Sequence, residues 1–173
     1  MKYLNLILCL CLPYFVPAQI FKGLPTGKER IESSRKDFER EVLQLVNKER
    51  KKRKLKALLW NTQLAYAARY HAKDMATDEY FDHSTKDRLP NGRHKTICDV
   101  FERLDKFSEA RIFSSAENIA AGENTPKQVM KSWMSSKLHK RNILDKEAKY
   151  IGIGYVEIRG SYYEDYWVQC FGL

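Results

Sequence analysis

Three residues stand out for the chemistry they could do: two histidines and a carboxylate. His83 lies in Tyr80-Phe81-Asp82-His83-Ser84, and His139 in Ser136-Lys137-Leu138-His139-Lys140-Arg141-Asn142. Between them runs Ala116-Glu117-Asn118-Ile119-Ala120-Ala121-Gly122. An imidazole changes charge near neutral pH and serves as acid, base or ligand. A carboxylate among small apolar residues is costly unless paired or hydrogen-bonded, so Glu117 needs a partner. Two histidines and one carboxylate beside loops can converge on one cleft. Spacing alone does not establish this, since isolated histidines are more often structural. His71, inside a helical pattern, reads as a packed or half-exposed helix residue, and His94, in a basic turn, as a solvated one. The chain has no H-E-x-x-H, no G-x-S-x-G, no phosphate loop and no paired C-x-x-C.

The elements that must position these residues read as helices first and strands last. Phe38, Val42, Leu45 and Val46 follow helical spacing, which predicts a helix over 37–52. Asn61 is placed to cap a second helix whose buried face is Leu64, Ala65, Ala68, Ala72 and Met75. A short helix is expected over 97–104. Thr125-Pro126-Lys127-Gln128 is a strong helix start, with Thr125 as cap, Pro126 at the first position and Gln128 completing a capping box. Strands are expected over 150–159 and 162–171, joined at Gly160-Ser161 as a hairpin in the centre of the fold. Gly152 and Gly154 mark a close approach by another element. This order fits a layered α+β domain.

The chain has 173 residues and a formal net charge of +9. Residues 1–18 read as a secretory signal: Lys2, an apolar run from Leu4, then Val16-Pro17-Ala18. Residues 19–36 read as a flexible segment and 37–173 as one domain. Cys9 and Cys11 leave with the signal, while Cys98 and Cys170 remain. Outside the cytoplasm these two are free to pair, and the bridge would contribute about 4 kcal/mol; separately buried thiols are the alternative. The cations Lys48, Arg50, Lys51, Lys52, Arg53, Lys54 and Lys56 crowd into residues 48–56. They read either as a solvated helix end or as a contact for an anionic surface, such as an envelope polymer or lipid head groups. With no aromatic residues interleaved there is no stacking platform for bases, and export also argues against nucleic acid as a partner.

The ordered set of motifs resembles the bacterial branch of the CAP superfamily, the SCP-like relatives of cysteine-rich secretory and pathogenesis-related proteins. The likeness runs from Leu45-Val46-Asn47 and Arg50, through Leu58-Leu59-Trp60 and Ala72-Lys73-Asp74-Met75-Ala76, to Tyr80-Phe81-Asp82-His83-Ser84. It continues through Ala116-Glu117-Asn118-Ile119-Ala120, Gly122, Trp133-Met134-Ser135-Ser136, His139 and Asn142-Ile143-Leu144 to residues 152–154. The resemblance implies an α-β-α sandwich with a central antiparallel sheet and a cleft. Eukaryotic members typically line that cleft with two histidines and two glutamates, and some bind a divalent metal there. His83, His139 and Glu117 match three of those four, while Ser136 stands where the second glutamate would be and Leu138 where a glycine is usual. Residues 86–115 match poorly and read as a variable cleft wall.

On this likeness, His83 and His139 could ligate zinc or another divalent metal, weakly because only one carboxylate is present. Without metal, Glu117 would orient an imidazole. Asn118 and Asn142 would stabilise either the site or local turns. The functional expectation is a secreted module, non-enzymatic, whose cleft takes a lipid, glycan or peptide, from a small ligand to a component of an envelope or host surface. The alternatives are a hydrolase, metal-assisted or using Ser136 beside a His/Glu pair, and a structural envelope protein seated through its basic face.

Overall fold

The computed structural model describes residues 22–108 and 114–173. The expected signal over 1–18 lies outside the described residues. No helix among those described is long and apolar enough to cross a membrane.

The C-terminal hairpin forms the middle of the sheet. β5 (Tyr150–Glu157) and β6 (Asp165–Gly172) pair antiparallel, and the four-stranded order is β1-β5-β6-β4. β4 (Ser114–Ala121) adds to β6 antiparallel at one edge, and the two-residue β1 (Leu59–Trp60) adds to β5 in parallel at the other. Side chains alternate between faces along a strand. In β6, Tyr166, Val168 and Cys170 enter one core, while Trp167 and Phe171 enter the other. The first core is covered by α2 (Thr62–Thr77) and α3 (Val100–Phe107). The second is covered by α1 (Lys36–Lys51), α4 (Pro126–Ser135) and α5 (Lys137–Ile143). This is the α-β-α sandwich that the resemblance implies.

Two glycines let α2 lie against the sheet. A Cβ on Gly152 would stand 2.1 Å from the Ala65 nitrogen, and one on Gly154 would stand 2.4 Å from the Arg69 nitrogen. The facing helix surface is Ala65 and Ala68, both fully buried. Helix and strand therefore meet backbone to backbone, as the glycines predict.

Local signals explain most element ends. Asn61 accepts from Leu64 N–H at 2.9 Å and starts α2. The expected helix over 97–104 is shifted: Ile97 and Cys98 close strand β3 (His94–Cys98), which pairs with β2 (Thr85–Arg88). Asp99 then caps α3 with a full capping box, its carboxylate receiving the Glu102 N–H and the Glu102 side chain receiving the Asp99 N–H. At α4 the box is incomplete. Thr125 accepts from Gln128 N–H at 3.3 Å, but the Gln128 side chain meets the Thr125 hydroxyl rather than its N–H. The hairpin turn is wider than Gly160-Ser161, because β6 begins only at Asp165.

Three further expectations change. Cys98 and Cys170 are free, separately buried thiols, so the expected bridge is not made. Cys98 ends β3 in the small sheet, whereas Cys170 faces Glu117 across the β4–β6 ladder. The segment from Lys22 to Arg35 has no helix or strand, yet Pro25, Gly27 and Ile31 are buried and Gly23 N–H donates to Asp87. Arg50 is fully buried rather than part of a surface run, and Lys52 and Arg53 pair with Glu49 at 2.6 and 2.8 Å.

Candidate functional site

The site forms where both helical layers meet the free edge of β4. Glu117 sits on that strand opposite Cys170, with its side chain 1% exposed. Its two oxygens have different partners. Oε2 accepts from Arg103 Nη2 at 2.6 Å, and Oε1 meets His83 Nδ1 at 3.0 Å. Arg103 comes from α3 and is fully buried. Its Nη1 also donates to the His83 carbonyl at 2.9 Å and to Thr85 Oγ1 at 3.0 Å. One guanidinium thus holds both the backbone of His83 and the carboxylate behind its ring.

Electrostatics reflect this arrangement. Burial alone would raise the Glu117 carboxyl, but Arg103 and the neighbouring imidazoles of His71 and His83 bring it down to about 2. The Glu117 hydrogen bond raises His83 above its ordinary value, against a smaller effect of burial. Burial, and then the nearby His83, lower His139. His71 is wholly buried, and its Nε2 donates to the Asp82 carbonyl at 2.8 Å. Burial pushes it down to about 3, so it is a neutral anchor for the loop bearing His83, in keeping with its helical context. His94 is exposed, with Nε2 at 2.7 Å from the Asp78 carbonyl.

The cleft itself holds about 590 Å³ and is lined by Phe81, His83, Ile119, Trp133, Ser136 and His139, among others. Of the four candidate residues named from the sequence, His83, Ser136 and His139 face this space, and Glu117 stands behind His83. Ser136 caps α5, its oxygen 3.4 Å from the His139 N–H. Asn118 and Asn142 knit the floor: Asn118 donates to the His139 carbonyl and to Gln169, and Asn142 donates to the Glu117 carbonyl and to Asn118. Residues 86–115 supply no lining residue among those described; α3 supports the site from behind instead.

The donor set does not fit a resident zinc ion. Glu117 is already engaged by Arg103, and through His83 Nδ1 it acts as a carboxylate behind an imidazole. That leaves two imidazoles, one fewer than the three protein ligands of an open zinc site. Among the described residues no group of three His, Cys, Asp or Glu side chains is arranged to hold a metal ion.

Arg103 is the residue that sequence reasoning misses. It lies in the poorly matching stretch, where an arginine reads as solvated. The available signal is its register: Val100, Arg103, Leu104 and Phe107 share one face of a capped helix, and Arg103 lies on the apolar side of it.

Comparison with known proteins bears on the fold and family of the chain. The chain is 37% identical over 125 residues to the uncharacterized protein YkwD of Bacillus subtilis (strain 168), covering 72% of this chain but 45% of that one. An extracellular protein containing an SCP domain from Bacillus anthracis has a TM-score of 0.62 at 25% identity, covering 79% of this chain and 40% of that chain. An outer surface protein of Borrelia burgdorferi has a similar fold, with a TM-score of 0.66 at 20% identity over 82% of this chain and 95% of that one. The chain therefore spans under half the length of these Bacillus relatives. The model of the CAP family, the cysteine-rich secretory protein family, matches residues 43–171, and the chain belongs to that family.

Proposed function

We propose that the protein is a ligand-binding module acting outside the cytoplasm, with His83 and His139 as the polar contacts of its cleft. The observation that carries this reading is the division of Glu117 between Arg103 and His83. A carboxylate held ionised by a buried guanidinium is a poor proton acceptor, but it favours a protonated His83. The cleft then offers one imidazole made more basic and one made less basic, the carboxylates of Asp82 and Glu123, and an apolar floor of Phe81, Ile119 and Trp133. That combination suits an amphipathic ligand, a lipid, glycan or peptide carrying an acceptor or anionic group. The expected signal at residues 1–18 supports an extracytoplasmic location, and so does the description of the Bacillus anthracis neighbour as extracellular.

A hydrolase reading draws on the Glu117–His83 pair, which resembles a base and its orienting carboxylate. Against it, the Ser136 oxygen is engaged as the cap of α5, and no hydrogen bond to an imidazole accompanies it among the described contacts. Mass spectrometry of small molecules co-purifying with the wild type and with His83→Ala/His139→Ala tests the binding reading. It expects a molecule retained by the wild type and lost from the variant. Identical occupancy in both, or turnover of peptide or glycan fragments by the wild type, contradicts it.

A further inference from the structure

The edge of the sheet opposite the cleft carries a second recess. It holds about 500 Å³ and is built from two segments distant in sequence, around residues 54–59 and 146–150. Lys54, Lys56, Lys146 and Lys149 rim it, all exposed, against a single acidic lining residue, Glu147. Within the rim lie Tyr150 and Leu59, the latter 61% exposed on β1. Arg50 is the clamp that assembles it. Its Nε donates to the Lys56 carbonyl at 2.7 Å, Nη1 to that of Asp145 at 2.8 Å and Nη2 to that of Ala148 at 3.3 Å. The Leu59 N–H adds a bond to the Lys149 carbonyl at 2.9 Å. An arginine that the sequence places in a surface run thus builds a cationic face that includes lysines from outside that run.

We propose that this face docks on an anionic phospholipid bilayer. Four lysines around an exposed leucine and a tyrosine match an interface in which cations sit among head groups and apolar side chains enter the acyl boundary. Long lysine stems allow both contacts at once. A purely anionic polymer would have no use for Leu59. The recess draws on β1 and the cleft on β4, at opposite edges of the sheet, so docking leaves the cleft uncovered. The inference is independent of what the cleft binds.

Vesicle co-sedimentation tests it, comparing phosphatidylcholine alone with an equal mixture of phosphatidylcholine and phosphatidylglycerol. All variants share one N-terminus, so differences between them read the recess. The wild type should partition to the anionic vesicles preferentially, and less as salt rises. Changing Lys54, Lys56, Lys146 and Lys149 together to Gln should weaken partition by several hundred-fold, at roughly fivefold per lysine near the surface. Leu59→Ser should weaken it several-fold. A charge-matched variant with Lys127, Lys131, Lys137 and Lys140 changed to Gln should have a much smaller effect. Equal loss in the two quadruple variants would assign the attraction to net charge and overturn the proposal. So would tighter binding to soluble polyphosphate than to vesicles with no effect of Leu59→Ser, which would indicate a polymer site.

Discussion

Two buried arginine–glutamate pairs among the described residues are put to different use. In the α1–α2 pair, Arg69 grips Glu39 with both tines of its fork, Nε at 2.9 Å and Nη2 at 2.6 Å. Both carboxylate oxygens are consumed by one partner, and the result is a structural staple between helices. In the α3–β4 pair, Arg103 takes only one oxygen of Glu117. The other is given to His83, whose side chain is 50% exposed. The same two residue types thus make a closed joint in one place and a charged connection to a cleft in the other. What separates them is where the second oxygen goes.

Removing either arginine should have the largest effect. Arg69→Met leaves the buried Glu39 without its arginine and Arg103→Met leaves the buried Glu117 with only the half-exposed His83, and each should cost about 3–5 kcal/mol in urea unfolding at neutral pH. The Arg103→Met loss should ease in acid, where Glu117 can protonate. Next comes the pH dependence of the wild type. Glu117 is lowered in the folded state from 4.5 to about 2, so its contribution is complete above about 4.5 and lost as the pH falls towards 2. Glu117→Gln should flatten that acid limb of the stability curve, measured by thermal unfolding across pH. A smaller effect separates the pairs. His83→Ala should cost less than about 1 kcal/mol, as for a half-exposed partner, while emptying the cleft of ligand. Zinc added to the chelator-treated wild type should leave its unfolding temperature nearly unchanged, since Arg103 already holds Glu117 and no group of three His, Cys, Asp or Glu side chains among the described residues is arranged to bind it.

Much of this is legible in the sequence. The apolar run of β6, the glycines of β5 and the alanines of α2 are local signals, and they specify the sandwich and its closest packing. His83, Glu117 and His139 lie in motifs whose family resemblance, not their spacing, places them in one cleft. The parts that are not legible depend on pairing between distant segments. Arg103 is hidden because its partner is a carboxylate on β4, which no helical pattern reveals. Arg50 reads as a surface cation because its acceptors are carbonyls from residues 56 and 143–148, remote from its own helix. The cysteines suggest a bridge because nothing in their spacing says that Cys98 ends a separate small sheet. The start of α3 is ambiguous because Ile97 and Cys98 suit a strand as well as a helix, and only the Asp99 cap decides where the helix begins.

The central claim is that Glu117, fixed by Arg103, raises the basicity of His83 at the mouth of the cleft. An NMR pH titration of the histidine ring resonances tests it most directly. The account predicts a His83 midpoint above the ordinary 6.5, a His139 midpoint below it and no titration of His71 near neutrality. In Glu117→Gln, His83 should fall and His139 should rise as the charge beside it is lost. A His83 midpoint at or below that of His139, or one unmoved by Glu117→Gln, would contradict the account.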